Sequence, residues 1–232
     1  MVENFIFYNS VDYWIEKAIE MCCCEYFKDG ICEPLDERCP YLKHTRNCGF
    51  RSHYACLTHT KGDPPRTAEI KRAILPKALK GWREHFHKLP HGGRQMTARP
   101  LEDAIKDAVE LSLKPMGVQV QERKKMKIIK EYNIIMDIRI EKKGYPTTLI
   151  SVKSYLGKGE FRNSFTNAYF VKLRKGLNNV RFYIVTMILY CKREMVDLAR
   201  PYIDGIYSLD KKPYIDELFD ELQSIYSRGL VT

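Results

Sequence analysis

Asp137 interrupts an otherwise apolar run, Tyr132-Asn133-Ile134-Ile135-Met136-Asp137-Ile138-Arg139-Ile140. A carboxylate in such a strand is costly unless it meets a cation or hydrogen-bond donors. After a turn at Lys142-Lys143-Gly144-Tyr145-Pro146, a second strand reads Thr147-Thr148-Leu149-Ile150-Ser151-Val152-Lys153. Side chains alternate along a strand, so Ser151 and Lys153 share one face and Val152 takes the other. Two adjacent antiparallel strands can therefore bring Asp137, Ser151 and Lys153 to one point. Phosphodiester hydrolysis needs such a set: carboxylate oxygens hold Mg2+, which neutralises the phosphate and acidifies water. A lysine beside the ion orients that water and stabilises charge developing on the phosphoryl oxygens.

A second constellation lies near the amino terminus. Seven of the eight cysteines fall between Cys22 and Cys56, and the eighth is Cys191. The triplet Cys22-Cys23-Cys24 with Cys32, Cys39 and Cys48 offers four thiolate positions, taken as Cys24, Cys32, Cys39 and Cys48. Four thiolates can close around Zn2+ or hold a [4Fe–4S] cluster. No close CxxC pair announces a zinc ribbon, and the loops between cysteines are long, which favours the cluster. Cys39-Pro40-Tyr41 resembles the Cys-Pro turn at cluster ligands of iron–sulfur helicases and nucleases. Free thiols are the plain alternative, and Cys56, His44, His53 and His59 could replace a ligand. His85, His87 and His91 sit in a Gly- and Pro-rich stretch without acidic partners, so they read as solvated loop histidines.

The elements that must position these groups divide the chain in three. Residues 1–60 form the cysteine-rich module, 61–99 a basic connecting and DNA-contact region with one helix near Thr67 to His87, and 100–232 the core. Arg46, Arg51 and Arg66 would be pressed against DNA by the metal-stapled module. Pro100 suits the first turn of a helix, with Glu102 and Asp103 at its positive end. Strands follow at Val118 to Glu122, Tyr132 to Glu141, Thr147 to Ser154 and Arg181 to Cys191. A helix from about Asn163 to Lys175, closed by Gly176, separates the last two, and another runs from Ile215 to Ser227. This order predicts an α/β fold with a mixed sheet.

Lys plus Arg exceed Asp plus Glu by 39 to 29, for a net charge of +10 and a pI near 9.1. That balance points to a polyanionic partner, because each phosphate neutralised releases condensed counterions. Lys158 and Arg162 are candidates to hold DNA phosphates, Arg162 and Asn163 to read base edges, with Ser154 and Asn167 beside them. The start is acidic and lacks a long apolar run, so no signal peptide is expected there, and no apolar run reaches the roughly 20 residues of a membrane span. A cytoplasmic protein is expected.

From Pro100 to Leu189 the chain resembles the PD-(D/E)xK restriction endonucleases. Asp137 and Lys153 match the family's metal-binding Asp and catalytic Lys, while Ser151 stands where the tripeptide carries an acid. The resemblance implies a restriction-endonuclease-like mixed sheet flanked by helices, a Mg2+ cofactor and cleavage of double-stranded DNA. One branch, cutting sites with a CCGG core, has Ser-x-Lys and draws its acid from the following helix. The corresponding residue here is Asn167, and the nearest acid is Glu160 in the preceding loop. Many members add a Glu from the helix before the strands, for which Glu102 is the first choice and Glu110 the second.

Three functions compete. A type II restriction endonuclease would act as a homodimer on palindromic DNA, and no GxxxxGK[ST] motor motif argues otherwise. An iron–sulfur repair or CRISPR-associated exonuclease would explain the cysteines. A metal-stapled DNA-binding protein with an inactive core would explain the missing tripeptide acid.

Overall fold

The computed structural model describes residues 27–28, 31–32, 37–38, 57, 60, 62–85, 95–129, 132–176 and 179–227. Among the described residues, three two-residue strands come first: β1 (Phe27–Lys28), β2 (Ile31–Cys32) and β3 (Glu37–Arg38). They pair antiparallel as a small sheet. The main body follows as α1 (Pro65–His85), α2 (Gln95–Leu113), β4 (Gln119–Ile129), β5 (Tyr132–Glu141) and β6 (Thr147–Leu156). It continues as α3 (Lys158–Lys175), β7 (Val180–Leu189), α4 (Arg193–Ala199), β8 (Gly205–Ser208) and α5 (Ile215–Ser227).

The expected α/β mixed sheet flanked by helices is present. Five strands lie in the order β4-β5-β6-β7-β8, antiparallel through β6 and parallel from β6 to β8. Strand β7 is paired in parallel on both sides, which is why its sequence from Phe182 to Met187 is a buried, mostly apolar run, interrupted only by Thr186. Two cores sandwich the sheet. One joins Ile138, Ile140, Ile150, Val152, Tyr183 and Val185 to α1, α2 and α5. The other joins Leu149, Phe182 and Ile184 to Phe161, Ala168 and Val171 of α3 and Ala199 of α4.

Helix α5 shows how sequence becomes packing. Ile215, Leu218, Phe219, Leu222 and Tyr226 recur at helical spacing and are all buried. Its Tyr226 hydroxyl donates to Thr148 Oγ1 at 2.9 Å, tying the helix to the β5–β6 hairpin. Asp216, in its first turn, accepts from the backbone N–H groups of Arg66 and Thr67 at 3.0 and 2.8 Å. A carboxylate from α5 thus caps the start of α1, where free N–H groups and the helix dipole favour negative charge.

Several elements differ from the sequence expectation. Helix α2 begins at Gln95, so Pro100 lies inside it rather than in its first turn. Pro100 removes one intrahelical N–H and its ring crowds the preceding turn, a cost offset by the burial of Leu101, Ile105 and Val109 just beyond it. Strand β4 runs to Ile129, far past Glu122, because an edge strand can turn its lysines to water. Helix α3 starts at Lys158, just after Gly157, so Glu160 lies in its first turn and not in a loop. Helix α4 and strand β8 were not anticipated, both being short. His85 ends a helix, not a loop. Arg66 is spent inside the fold: it donates to Ser112 Oγ at 2.9 Å and sits 4.8 Å over the Phe219 ring.

Of the proposed cysteine ligands, Cys32 lies in β2, opposite Phe27 and Glu37. Cys24, Cys39 and Cys48 fall outside the described residues, as do Cys56, His44, His53, His59, His87 and His91.

Candidate active site

The hairpin opens at Asp137. Pairing between β5 and β6 runs from Ile140↔Thr148 to Ile138↔Ile150 and goes no further, although both strands continue. The Val152 N–H, free of β5, donates instead to the Asp137 carboxylate, Oδ2, at 2.6 Å. Ser151 Oγ and Lys153 Nζ reach the same oxygen at 3.4 and 3.5 Å. Lys153 Nζ also donates to the Val152 carbonyl at 3.1 Å. The three residues singled out in the sequence do meet, on one oxygen.

All these donors converge on Oδ2, so Oδ1 of Asp137 has no protein partner among the described residues. The Asp137 and Lys153 side chains are 18% and 30% exposed, so the pair is shielded yet open to solvent on one side. In that setting a charge-assisted hydrogen bond contributes about 1.5–3 kcal/mol to holding the carboxylate in place.

Glu102 projects from α2 towards the same part of the sheet and is held by Arg123 of β4. Arg123 Nη2 and Nε donate to Glu102 Oε2 at 2.8 and 3.2 Å. Arg99 stands further off, 3.9 Å from the same oxygen. The β4–β5 register pairs Glu122 with Ile138 and Lys124 with Met136, leaving Arg123 and Asp137 facing each other between them without pairing. Arg123 has φ of 45°, in the left-handed region that non-glycine residues rarely adopt. Its guanidinium is held charged above its ordinary range by the hydrogen bond to Glu102, then by the charges of Glu102, Asp137 and Glu122. The ribbon also changes sides here. Met126, Ile128, Ile134 and Met136 enter one core, whereas Ile138 and Ile140, of the same parity as the β5 pair, enter the other.

The donor set fits Mg2+, a hard ion that takes one or two carboxylates and completes its shell with water and phosphate. Asp137 Oδ1 is available, whereas Glu102 Oε2 is engaged by Arg123. Among the described residues, no three His, Cys, Asp or Glu gather at one point. Ser151 is a donor to Asp137, not a substitute acid. Glu110 pairs with Lys106 at 3.2 Å along the surface of α2. Glu160 contributes its charge beside Cys191, whose thiol burial first, then Glu160, push up to about 11.

Lys158, Arg162 and Asn163 are exposed on the first turns of α3, and Ser154 and Asn167 are half-buried. Lys158, Arg162 and Asn163 make no hydrogen bond or ion pair to Asp137 or Lys153 among the described residues. Sequence reasoning missed Arg123 and the Val152 N–H. The first was hidden in the charge run Arg123-Lys124-Lys125, and a backbone group has no sequence signal.

Neither any protein-family model nor any curated protein matches the chain. Among solved structures it is similar to the restriction endonuclease PspGI in complex with substrate DNA. That match has a TM-score of 0.44 and 14% identity and covers 93% of this chain and 82% of that one. It is also similar to AF1548, a protein of unknown function, with a TM-score of 0.37 and 13% identity over 52% of this chain. There it spans 65% of the other chain's length. At such distances chemistry has to come from the site's own residues.

Proposed function

We propose that the chain is a Mg2+-dependent deoxyribonuclease that hydrolyses phosphodiester bonds of double-stranded DNA at a short specific site, in the manner of a type II restriction enzyme. The observation that carries this reading is Asp137 with Lys153, met where β5 and β6 part, with Oδ1 left open. Asp137 and Glu102 would hold Mg2+, which when bound neutralises phosphate charge and makes water a better nucleophile. Lys153 Nζ lies where it can orient that water and offset charge on the phosphoryl oxygens. Val152 N–H and Ser151 keep the Asp137 carboxylate turned the right way. Recognition of a palindrome would call for a homodimer.

Plasmid DNA with Mg2+ tests the reading. Discrete fragments support site-specific cleavage, whereas shortening from the ends supports an exonuclease. Binding without nicking in Mg2+ or Mn2+ removes the enzyme reading. That last outcome has one observation in its favour, the commitment of Glu102 to Arg123, which would suit an inactive DNA-binding protein. The cysteine-rich segment is proposed to hold a [4Fe–4S] cluster or Zn2+. A brown protein with visible absorbance identifies the cluster, and a colourless one containing zinc identifies the alternative.

A further inference from the structure

Strand β4 is an edge of the main sheet and carries Lys124, Lys125 and Lys127, all exposed. None of the three has an ion pair among the described residues. Other cations of the same sheet are spent: Arg139 on Glu141, Arg181 on Asp204, and Arg123 on Glu102. Lysines on an edge strand deter pairing with another chain, but that role does not reach across to β5. There Asn133 and Ile135, register partners of Lys127 and Lys125, are also exposed, Ile135 by 62%. The opposite side of the ribbon, with Met126, Ile128, Ile134 and Met136, is buried. A core thus supports one side, and a row of unpaired cations, an amide and an aliphatic group faces solvent on the other.

That row leads to the site. Ile135 is two residues from Asp137, about 7 Å along an extended strand, and Lys125 is two residues from Arg123. We infer that the solvent face of the β4–β5 ribbon, with Lys125 and Lys127 as its charges, is the surface along which the sugar–phosphate backbone of duplex DNA approaches Asp137. The inference rests on the nuclease reading. Lysine ammonium groups supply phosphate contacts without reading bases, and Ile135 offers apolar surface to the sugars. A rigid ribbon supported by buried methionine and isoleucine would carry them at fixed spacing.

The experiment measures how binding to a mixed-sequence duplex varies with salt, in metal-free buffer so that no cleavage intervenes. Each phosphate contact contributes about 0.9 to the slope of log affinity against log salt. The double variant Lys125→Gln/Lys127→Gln should lower the slope by about 1.8. The control Lys211→Gln/Lys212→Gln, just after β8 at the opposite sheet edge, should leave it unchanged. A ribbon variant that binds with the wild-type slope overturns the inference and leaves the nuclease reading standing. A control that loses as much slope as the ribbon variant overturns it too. Wild-type protein with no affinity for any duplex sinks both.

Discussion

The backbone N–H of Val152 donates to Asp137 Oδ2 at 2.6 Å, across the gap where β5 and β6 no longer pair. A side chain here replaces a rung of the sheet, and its second oxygen is left for other work. Asp137→Asn keeps an oxygen that can accept from Val152 and removes the charge. The variant should fold with nearly the wild-type Tm. Its cleavage should fall by at least about 10³-fold, the scale of losing an aimed electrostatic group. Mn2+ binding to the site should be lost as well. Unchanged cleavage would take Asp137 out of the site.

Lys153 shares that oxygen and holds its place through the Val152 carbonyl. Lys153→Ala should cost about 10²–10³ in kcat while DNA affinity changes little, since one aimed donor is typically worth that much. A change in affinity alone, with kcat intact, would mark Lys153 as a binding residue only.

On the proposed reading, Arg123, paired with Glu102 at 2.8 Å, would set how freely Glu102 could serve an ion. Arg123→Asn removes the guanidinium and places at φ 45° a residue that tolerates this conformation. Mn2+ affinity of the DNA-free protein should rise about tenfold or more, a coupling of the size typical between linked sites. Adding Glu102→Gln should cancel the gain. If Arg123→Asn leaves Mn2+ affinity unchanged, Glu102 is held for structural reasons alone.

Asp216 tests the fold independently of the chemistry. It accepts from two N–H groups and the Thr67 hydroxyl at the head of α1. Asp216→Ala should destabilise the protein by about 1–2 kcal/mol, the usual cost of losing a helix cap, read from urea unfolding. The Thr67→Val variant should cost less, because both N–H contacts to Asp216 remain.

Alternating pattern and chemistry already placed Asp137 and Lys153 on neighbouring strands, because period-two geometry is local and a lone carboxylate among isoleucines stands out. The run from Ile215 to Ser227 was legible for the same kind of reason, its apolar residues falling on one helical face. Strand β4 was not. Seven of its residues past Glu122 look like a charged loop, and only its place at the sheet edge lets lysines lie in a strand. Arg123 faces Asp137 through a register that depends on two strands pairing, and it meets Glu102 only because α2 packs over them. The parting of β5 from β6 arises because β6 keeps its full partner in β7 while β5 follows β4 away. Composition and spacing therefore picked out Asp137, Ser151 and Lys153 as residues that meet in space. Tertiary packing decided which oxygen of Asp137 stays open and which cation guards Glu102, since both depend on groups far apart in the chain.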